Sequence, residues 1–268
     1  RWSRKCKKKI ETFKSKNSIT MAKNTDSNVY TVLFATGMVL VVGTLLAFLA
    51  SSLKDKIAEN KRIEKQQNIL YAMGINENDE NSVTFVSKDI VGEEFNKYIT
   101  KQLVITGTNA VEDSNAYLID IKKEEALAKN KNYQRRLPLF IGEKDGKTYN
   151  IVPVRGKGLW DAIWGYVALD NQLVIQGVYF DHAGETPGLG SNIKERFFMD
   201  DFIGEHIMDG DTFKGVAVSK SNADPKNLRK TDFAVDAISG STITGDGLAA
   251  MLKKDLKMYL PYLKTLKQ

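Results

Sequence analysis

Asp236-Ala237-Ile238-Ser239-Gly240-Ser241-Thr242-Ile243-Thr244 is the stretch on which the reading of this chain turns. An apolar run, Phe233-Ala234-Val235, leads into it, and a helix-like segment over 248–259 leads out. Hydroxyls therefore crowd round one glycine where a strand hands over to a helix. The first amides of a helix have no intrahelical partner, and that end carries about half a positive charge. An anionic group such as phosphate is well held there. The same residue types also serve as an ordinary N-cap, because Ser and Thr are preferred at that position without any ligand.

Upstream, the period is that of strands. Residues 137–142 and 149–154 flank Lys144-Asp145-Gly146, whose Asp-Gly is a hairpin signal. Residues 164–169 and 173–180 form a second pair around Asp170-Asn171, 192–203 reads as helix and 213–218 as strand. Residues 91–103 read as an amphipathic helix and 126–134 as a polar connection. Mixed elements without a regular βαβ alternation give an α+β class.

Two loops among those strands stand out. In Glu185-Thr186-Pro187-Gly188-Leu189-Gly190, Pro-Gly suits the centre of a type II turn, with Gly188 at positive φ. Gly190 lets backbone approach a flat ligand closely. Gly156-Lys157-Gly158-Leu159-Trp160-Asp161 contains Gly-x-Gly, but no third Gly and no βαβ unit follow, so a dinucleotide loop is not implied. The 185–190 loop read alone is also consistent with a plain surface turn, and Trp160 with a core filler.

The N-terminal half is organised differently. Ser27 to Leu53 holds no charged residue, a run that matches the roughly 20 residues needed to cross a bilayer. It is longer than the h-region of a signal peptide and is read as one uncleaved transmembrane helix. Residues 54–74 continue as a mixed-charge helix stopped by Gly74, either a solvated stalk or a docking helix. Lysines lie on both sides of the span, so the positive-inside rule does not orient it. Met21-Ala22-Lys23 reads as a natural start, and residues 1–20 are then an upstream extension.

Composition narrows the classes. Of the 268 residues, 42% are hydrophobic and 27% charged, which is globular. Residues 1–28 carry nine Lys or Arg against Glu11 and Asp26, while the rest carries 30 basic against 31 acidic residues. The body is thus neutral, and nucleic-acid binding is not expected. Cys6 is the single cysteine, and His182 and His206 are the two histidines, so neither a disulfide framework nor a zinc centre is expected.

Asp236-x-x-Ser239-Gly240-Ser241-Thr242 resembles the flavin-attachment motif of an FMN-binding domain family, with Ser241 where Ala is usual. That family is shared by the NqrC component of the Na+-translocating NADH:quinone oxidoreductase and the RnfG component of the Rnf complex. The Glu185–Gly190 loop and the Gly-Leu-Trp of 158–160 are similar to two further stretches of it, in the same order. The resemblance is nearer to the first complex; an RnfG-like flavoprotein and a membrane-anchored binding module without cofactor are the alternatives.

The resemblance implies FMN bound covalently to Thr242 through a phosphoester, with Asp236, Ser239, Gly240, Ser241, Leu159, Trp160, Asp161, Glu185, Thr186, Gly188, Leu189, Gly190 and Lys220 as cofactor-binding residues. Trp160 would stack on the flavin. Lys220 and, less directly, His182 would favour its negatively charged reduced form. A threonine hydroxyl is a poor nucleophile without activation, so attachment needs a separate flavin transferase, Mg2+-dependent and using FAD. No catalytic side chain and no metal ligand are expected. The implied organisation is a cytoplasmic tail over 1–28, a transmembrane helix over 29–53, a stalk and helical region over 54–135 and an FMN-binding domain over 136–268. The implied setting is the bacterial inner membrane, single-pass, with the flavin domain periplasmic and a second covalent-flavin membrane subunit as redox partner.

Overall fold

The computed structural model describes residues 27–79 and 82–266. The basic tail, with Cys6 and Lys23, lies outside the described residues. The chain divides into two compact units, one up to Ala58 and one from Glu59. In the first, helix α1 (Asn28–Ser52) is apolar on all faces and has no buried residue. At 1.5 Å per residue its 25 residues span about 37 Å. Among the described residues it is the one helix long and apolar enough to cross a bilayer. Ser27 caps it, its hydroxyl accepting from the Tyr30 amide at 3.3 Å.

Helix α2 (Lys54–Ala72) follows. Its last turns, Gln66 and Asn68 to Ala72, are buried in the second unit, so this part is a core element and not a solvated stalk. Gly74, at φ +71°, ends it as expected, its amide donating to the Tyr71 carbonyl at 2.8 Å.

The second unit is built on one antiparallel sheet of six strands in the order β2-β1-β3-β4-β5-β6. These are β1 (Ile99–Thr106), β2 (Asn109–Glu112), β3 (Leu137–Lys144), β4 (Lys147–Lys157), β5 (Ala162–Leu169) and β6 (Ile175–His182). The expected hairpin is present: Lys144 pairs with Lys147 across Asp145-Gly146, both at positive φ as a type I′ turn requires.

The helix expected over 91–103 ends early. Helix α3 covers Val91–Tyr98, and from Ile99 the chain is strand. Ile99, Thr100, Val104, Ile105 and Thr106 are β-branched and stiff at χ1, and pairing with β3 outweighs the helical pattern. The main sheet therefore draws strands from both sides of residue 136. The 192–203 helix is broken into a 3-10 turn (Gly190–Lys194), the four-residue α5 (Arg196–Met199) and a second 3-10 turn (Asp200–Phe202). A short helix, α4 (Ile121–Leu127), precedes it in the chain. Packing decides the break: Phe198 and Phe202 meet edge to face at 5.4 Å, and Phe202 meets Phe180 at 5.2 Å. The single strand expected over 213–218 is two. Thr212–Phe213 turns back on Met208–Asp209, and Ala217–Val218 pairs in parallel with Ala234–Val235.

Helix α6 (Thr242–Leu266) is longer than the 248–259 segment and begins inside the decisive motif. Leu248, Met251, Leu252, Leu256, Tyr259, Leu260 and Leu263 recur at helical spacing and are buried. On the same face Asp255 accepts the Arg155 amide at 2.6 Å, and Tyr259 donates to the Pro138 carbonyl at 3.0 Å. The first turns lie so close to the end of β4 that a Cβ on Gly247 would sit 2.3 Å from the Lys157 carbonyl oxygen. This contact sets the start of α6 beside the loop after β4.

Away from that helix, Glu205 is fully buried and, among the described residues, neither carboxylate oxygen has a partner within hydrogen-bond geometry. Lys230 Nζ lies 4.0 Å from Oε1. Burial pushes its carboxyl up to about 7, with Asn227 and Lys230 pulling partly back. Below its ordinary pKa both folded and unfolded chains hold the proton. Between that value and about 7 only the unfolded chain releases it, so stability should fall as pH rises through this window. Glu205→Gln is expected to flatten that fall and to stabilise the protein at pH 8 by on the order of 1–3 kcal/mol, read from melting temperatures across pH 4 to 9.

Candidate functional site

One buried carboxylate joins three distant loops. Glu185, 4% exposed, accepts the backbone amide of Trp160 on Oε1 at 3.0 Å and the hydroxyl of Thr244 on Oε2 at 2.6 Å. Burial alone would raise its pKa. The Thr244 hydroxyl and the amides of Trp160, Leu159 and Asp161 outweigh that and hold it below the ordinary carboxylate range. It is therefore ionised at neutral pH, and its stabilising contribution is present above the unfolded pKa and lost as pH falls through the folded one. Glu185, expected from sequence to touch a ligand, has both oxygens engaged by the protein and forms the frame of the site.

Each loop has its own internal order. In 158–161 the Gly158 amide donates to the Asp161 carbonyl at 2.8 Å, and the exposed Asp161 carboxylate accepts the Ala162 amide. In 185–190 the Leu189 amide donates to the Thr186 carbonyl at 3.1 Å with Gly188 at φ +75°, the predicted type II turn. Thr186 Oγ1 accepts the indole N–H of Trp160 at 3.1 Å, which fixes a ring that is 66% exposed. The third loop leads to the start of α6. Gly240, at φ +70°, abuts the Leu189 side chain, and Ser241 is buried with its hydroxyl directed at the Ser239 carbonyl.

The two threonines of the motif separate cleanly. Thr244 is 1% exposed, whereas Thr242 is exposed at the first position of α6. Two residues along a helix turn a side chain by about 200°, so one inward threonine requires the other to face out. The first backbone bond of the helix runs from the Gly245 amide to the Ser241 carbonyl at 2.9 Å. The amides of Thr242, Ile243 and Thr244 have no acceptor among the described residues. Leu159, Trp160, Leu189 and Ile243 leave apolar surface exposed on these same three loops.

Two polar atoms here lack partners among the described residues. Asp236 accepts the Asp224 amide on Oδ1 at 3.2 Å, but its Oδ2 is buried and unpaired. His182 accepts the Glu185 amide on Nδ1 at 3.2 Å, leaving Nε2 buried and unpaired. Lys220 is exposed after Ala217–Val218, in a segment tied to the motif through Ser219 N to Val235 O at 2.8 Å and Ala237 N to Ser221 O at 3.4 Å. Sequence reasoning missed the Glu185–Thr244 pair and the outward Ile243. The hydroxyl cluster was a visible signal for Thr244, but its partner is 59 residues away.

The glycines of the middle loop differ in what they tolerate. A Cβ on Gly188 meets nothing within 4 Å, so Gly188→Val should cost only its backbone strain, about 1–3 kcal/mol. A Cβ on Gly190 would lie 2.6 Å from both Glu185 Oε2 and Thr244 Oγ1. Gly190→Ala is thus expected to part that pair and to change Trp160 fluorescence, while Gly188→Val lowers the melting temperature and leaves the fluorescence near wild type.

Residues 158–257 match the family model of the FMN-binding domain. The C subunit of the Na(+)-translocating NADH-quinone reductase of Pseudomonas aeruginosa is 29% identical over 245 residues, covering 85% of this chain and 91% of that protein. Its counterpart in Vibrio alginolyticus is 28% identical over 243 residues, covering 85% and 90%. The crystal structure of the same C subunit from Parabacteroides distasonis superimposes with a TM-score of 0.66 at 31% identity, covering 79% of this chain and 96% of that one. NqrC of Shewanella oneidensis gives a TM-score of 0.60 at 26% identity, covering 78% and 98%.

Proposed function

The chain belongs to the NqrC family, the C subunits of Na(+)-translocating NADH-quinone reductase, and from that premise we propose that it is a membrane-anchored electron-transfer subunit carrying FMN on Thr242 through a phosphoester. It is an oxidoreductase subunit, and the other subunits of the complex are its partners. The observation that carries the attachment reading is the contrast within the motif: Thr242 is exposed beside free first-turn amides, and Thr244 is buried against Glu185.

The residues fit the group. Three unpaired amides at the start of a 25-residue helix suit a phosphate. The fixed, exposed indole of Trp160 suits one face of a flat ring, flanked by Leu159, Leu189 and the Gly188–Gly190 backbone. Asp236 Oδ2 and His182 Nε2 are buried polar atoms without partners among the described residues, an acceptor and a donor that a ligand would satisfy. Asp161, Thr186, Ser239, Gly240 and Ser241 are the further cofactor-binding residues of this reading, and Lys220 supplies a cation from the adjoining loop.

FMN, when bound, supplies the redox chemistry. The protein's part is to hold and orient it and to leave it reachable. No acid or base is required of the chain. In its attachment Thr242 Oγ1 would be the nucleophile, with AMP leaving from FAD and the hydroxyl proton passing to a separate transferase. A covalent link removes dissociation, so an open site can keep its cofactor. Helix α1 anchors the protein as a single pass in the bacterial inner membrane with the flavin domain on the periplasmic side. The redox partner is a membrane subunit with its own covalent flavin.

Thr242→Ala should abolish covalent FMN, and Thr244→Ala should retain it with reduced yield. In-gel fluorescence of denatured protein and peptide mass mapping read both outcomes, and FMN mass on Thr244 or Ser241 with Thr242 bare would refute the assignment. A fragment beginning at Lys54 is expected to be soluble without detergent and to accept the flavin, checked by centrifugation and the same gel.

A further inference from the structure

The buried Glu185–Thr244 contact bears on a question that the attachment chemistry leaves open. Two threonine hydroxyls stand two residues apart in one motif, and a transferase acting on a flexible peptide would meet both. In the folded chain they are not equivalent. Thr244 Oγ1 is tied at 2.6 Å to a carboxylate that is itself 4% exposed, and Gly190 packs against both groups. The other Glu185 oxygen holds the Trp160 amide at 3.0 Å, so the carboxylate cannot follow Thr244 outward without releasing the 158–161 loop.

We propose that Glu185 is the positioning residue that selects the attachment threonine: by holding Thr244 inward it fixes the rotation of the first turn of α6, presents Thr242 and removes Thr244 from competition. This rests on the reading that FMN is carried on Thr242. Glu185 acts through Thr244 and does not touch the reacting atoms. The geometry also explains how an anion is tolerated in this motif: its charge is covered by the Thr244 hydroxyl and by backbone amides of the 158–161 loop.

The conservative variant is informative. A glutamine at this position can accept the Trp160 amide on its carbonyl oxygen and donate from its amide nitrogen to Thr244 Oγ1, since a hydroxyl accepts as well as donates. Both ties survive with one reversed. Alanine removes both.

The test is to produce the full chain with a flavin transferase and FAD, and to quantify FMN on each residue by peptide mass mapping. Glu185→Gln is expected to keep at least half of wild-type loading, all of it on Thr242. Glu185→Ala should lose tenfold or more, with the residual FMN shared between Thr242 and Thr244. Thr244→Val removes only the inward hydroxyl and should lower loading on Thr242 by two- to fivefold. A folded Glu185→Ala protein loaded like wild type on Thr242 alone would overturn the inference, as would a Glu185→Gln protein as poorly loaded as the alanine variant. Should the alanine variant not fold, Thr244→Val decides, because unchanged loading there overturns the proposal. Wild-type FMN on any residue but Thr242 would instead refute the attachment reading on which the inference stands.

Discussion

A charged carboxylate inside a protein is tolerated only where its lone pairs are used, and the site depends on one such case. Stripped from water, Glu185 would favour its neutral form by several kcal/mol if left alone. It is ionised because Thr244 and the amides of Trp160, Leu159 and Asp161 converge on it. An acceptor with no donor of its own can be satisfied only by donors, and it collects them from segments lying before and after it in the chain. Removing any one segment leaves a buried charge short of partners, which costs more than the hydrogen bond is worth when present. The loops are therefore held to one another more firmly than their irregular backbone suggests.

The rest of the second unit delivers those donors to one place. The antiparallel sheet sets the 158–161 turn between β4 and β5 and the 185–190 turn just past β6. Helix α6 brings the third segment, and its position is fixed along its length by Asp255 on Arg155 and Tyr259 on Pro138. A long helix clamped at two points cannot rotate freely at its start. Its first turn, where the motif threonines sit, inherits that rigidity.

Much of this was legible in the sequence, and the reasons differ by element. The apolar helix was readable because charge is excluded from every position between Ser27 and Leu53. The turns at Asp145-Gly146 and Pro187-Gly188 were readable because positive φ restricts residue choice locally. The three motif segments were recognisable as a family pattern, and the structure brings them together through Glu185. The strand at Ile99–Thr106 was misread because a helical repeat and a strand both account for its apolar positions, and only the partner strand decides. The break-up of 192–203 depends on aromatic packing with Phe180, which no local window contains. The Glu185–Thr244 bond was hidden for the same reason, since nothing in a nonapeptide names a carboxylate 59 residues upstream.

The separations across which these bonds close have a bearing on timing. Arg155 meets Asp255, Pro138 meets Tyr259 and Glu185 meets Thr244 across 100, 121 and 59 residues. Contacts of this range mature late in folding, after local turns and hairpins. In a chain still on its way the two threonines are equivalent, and only the finished fold tells them apart. On the proposal that FMN is carried on Thr242, flavin confined to that residue is then a maturation stamp: it marks the molecules whose last helix has docked.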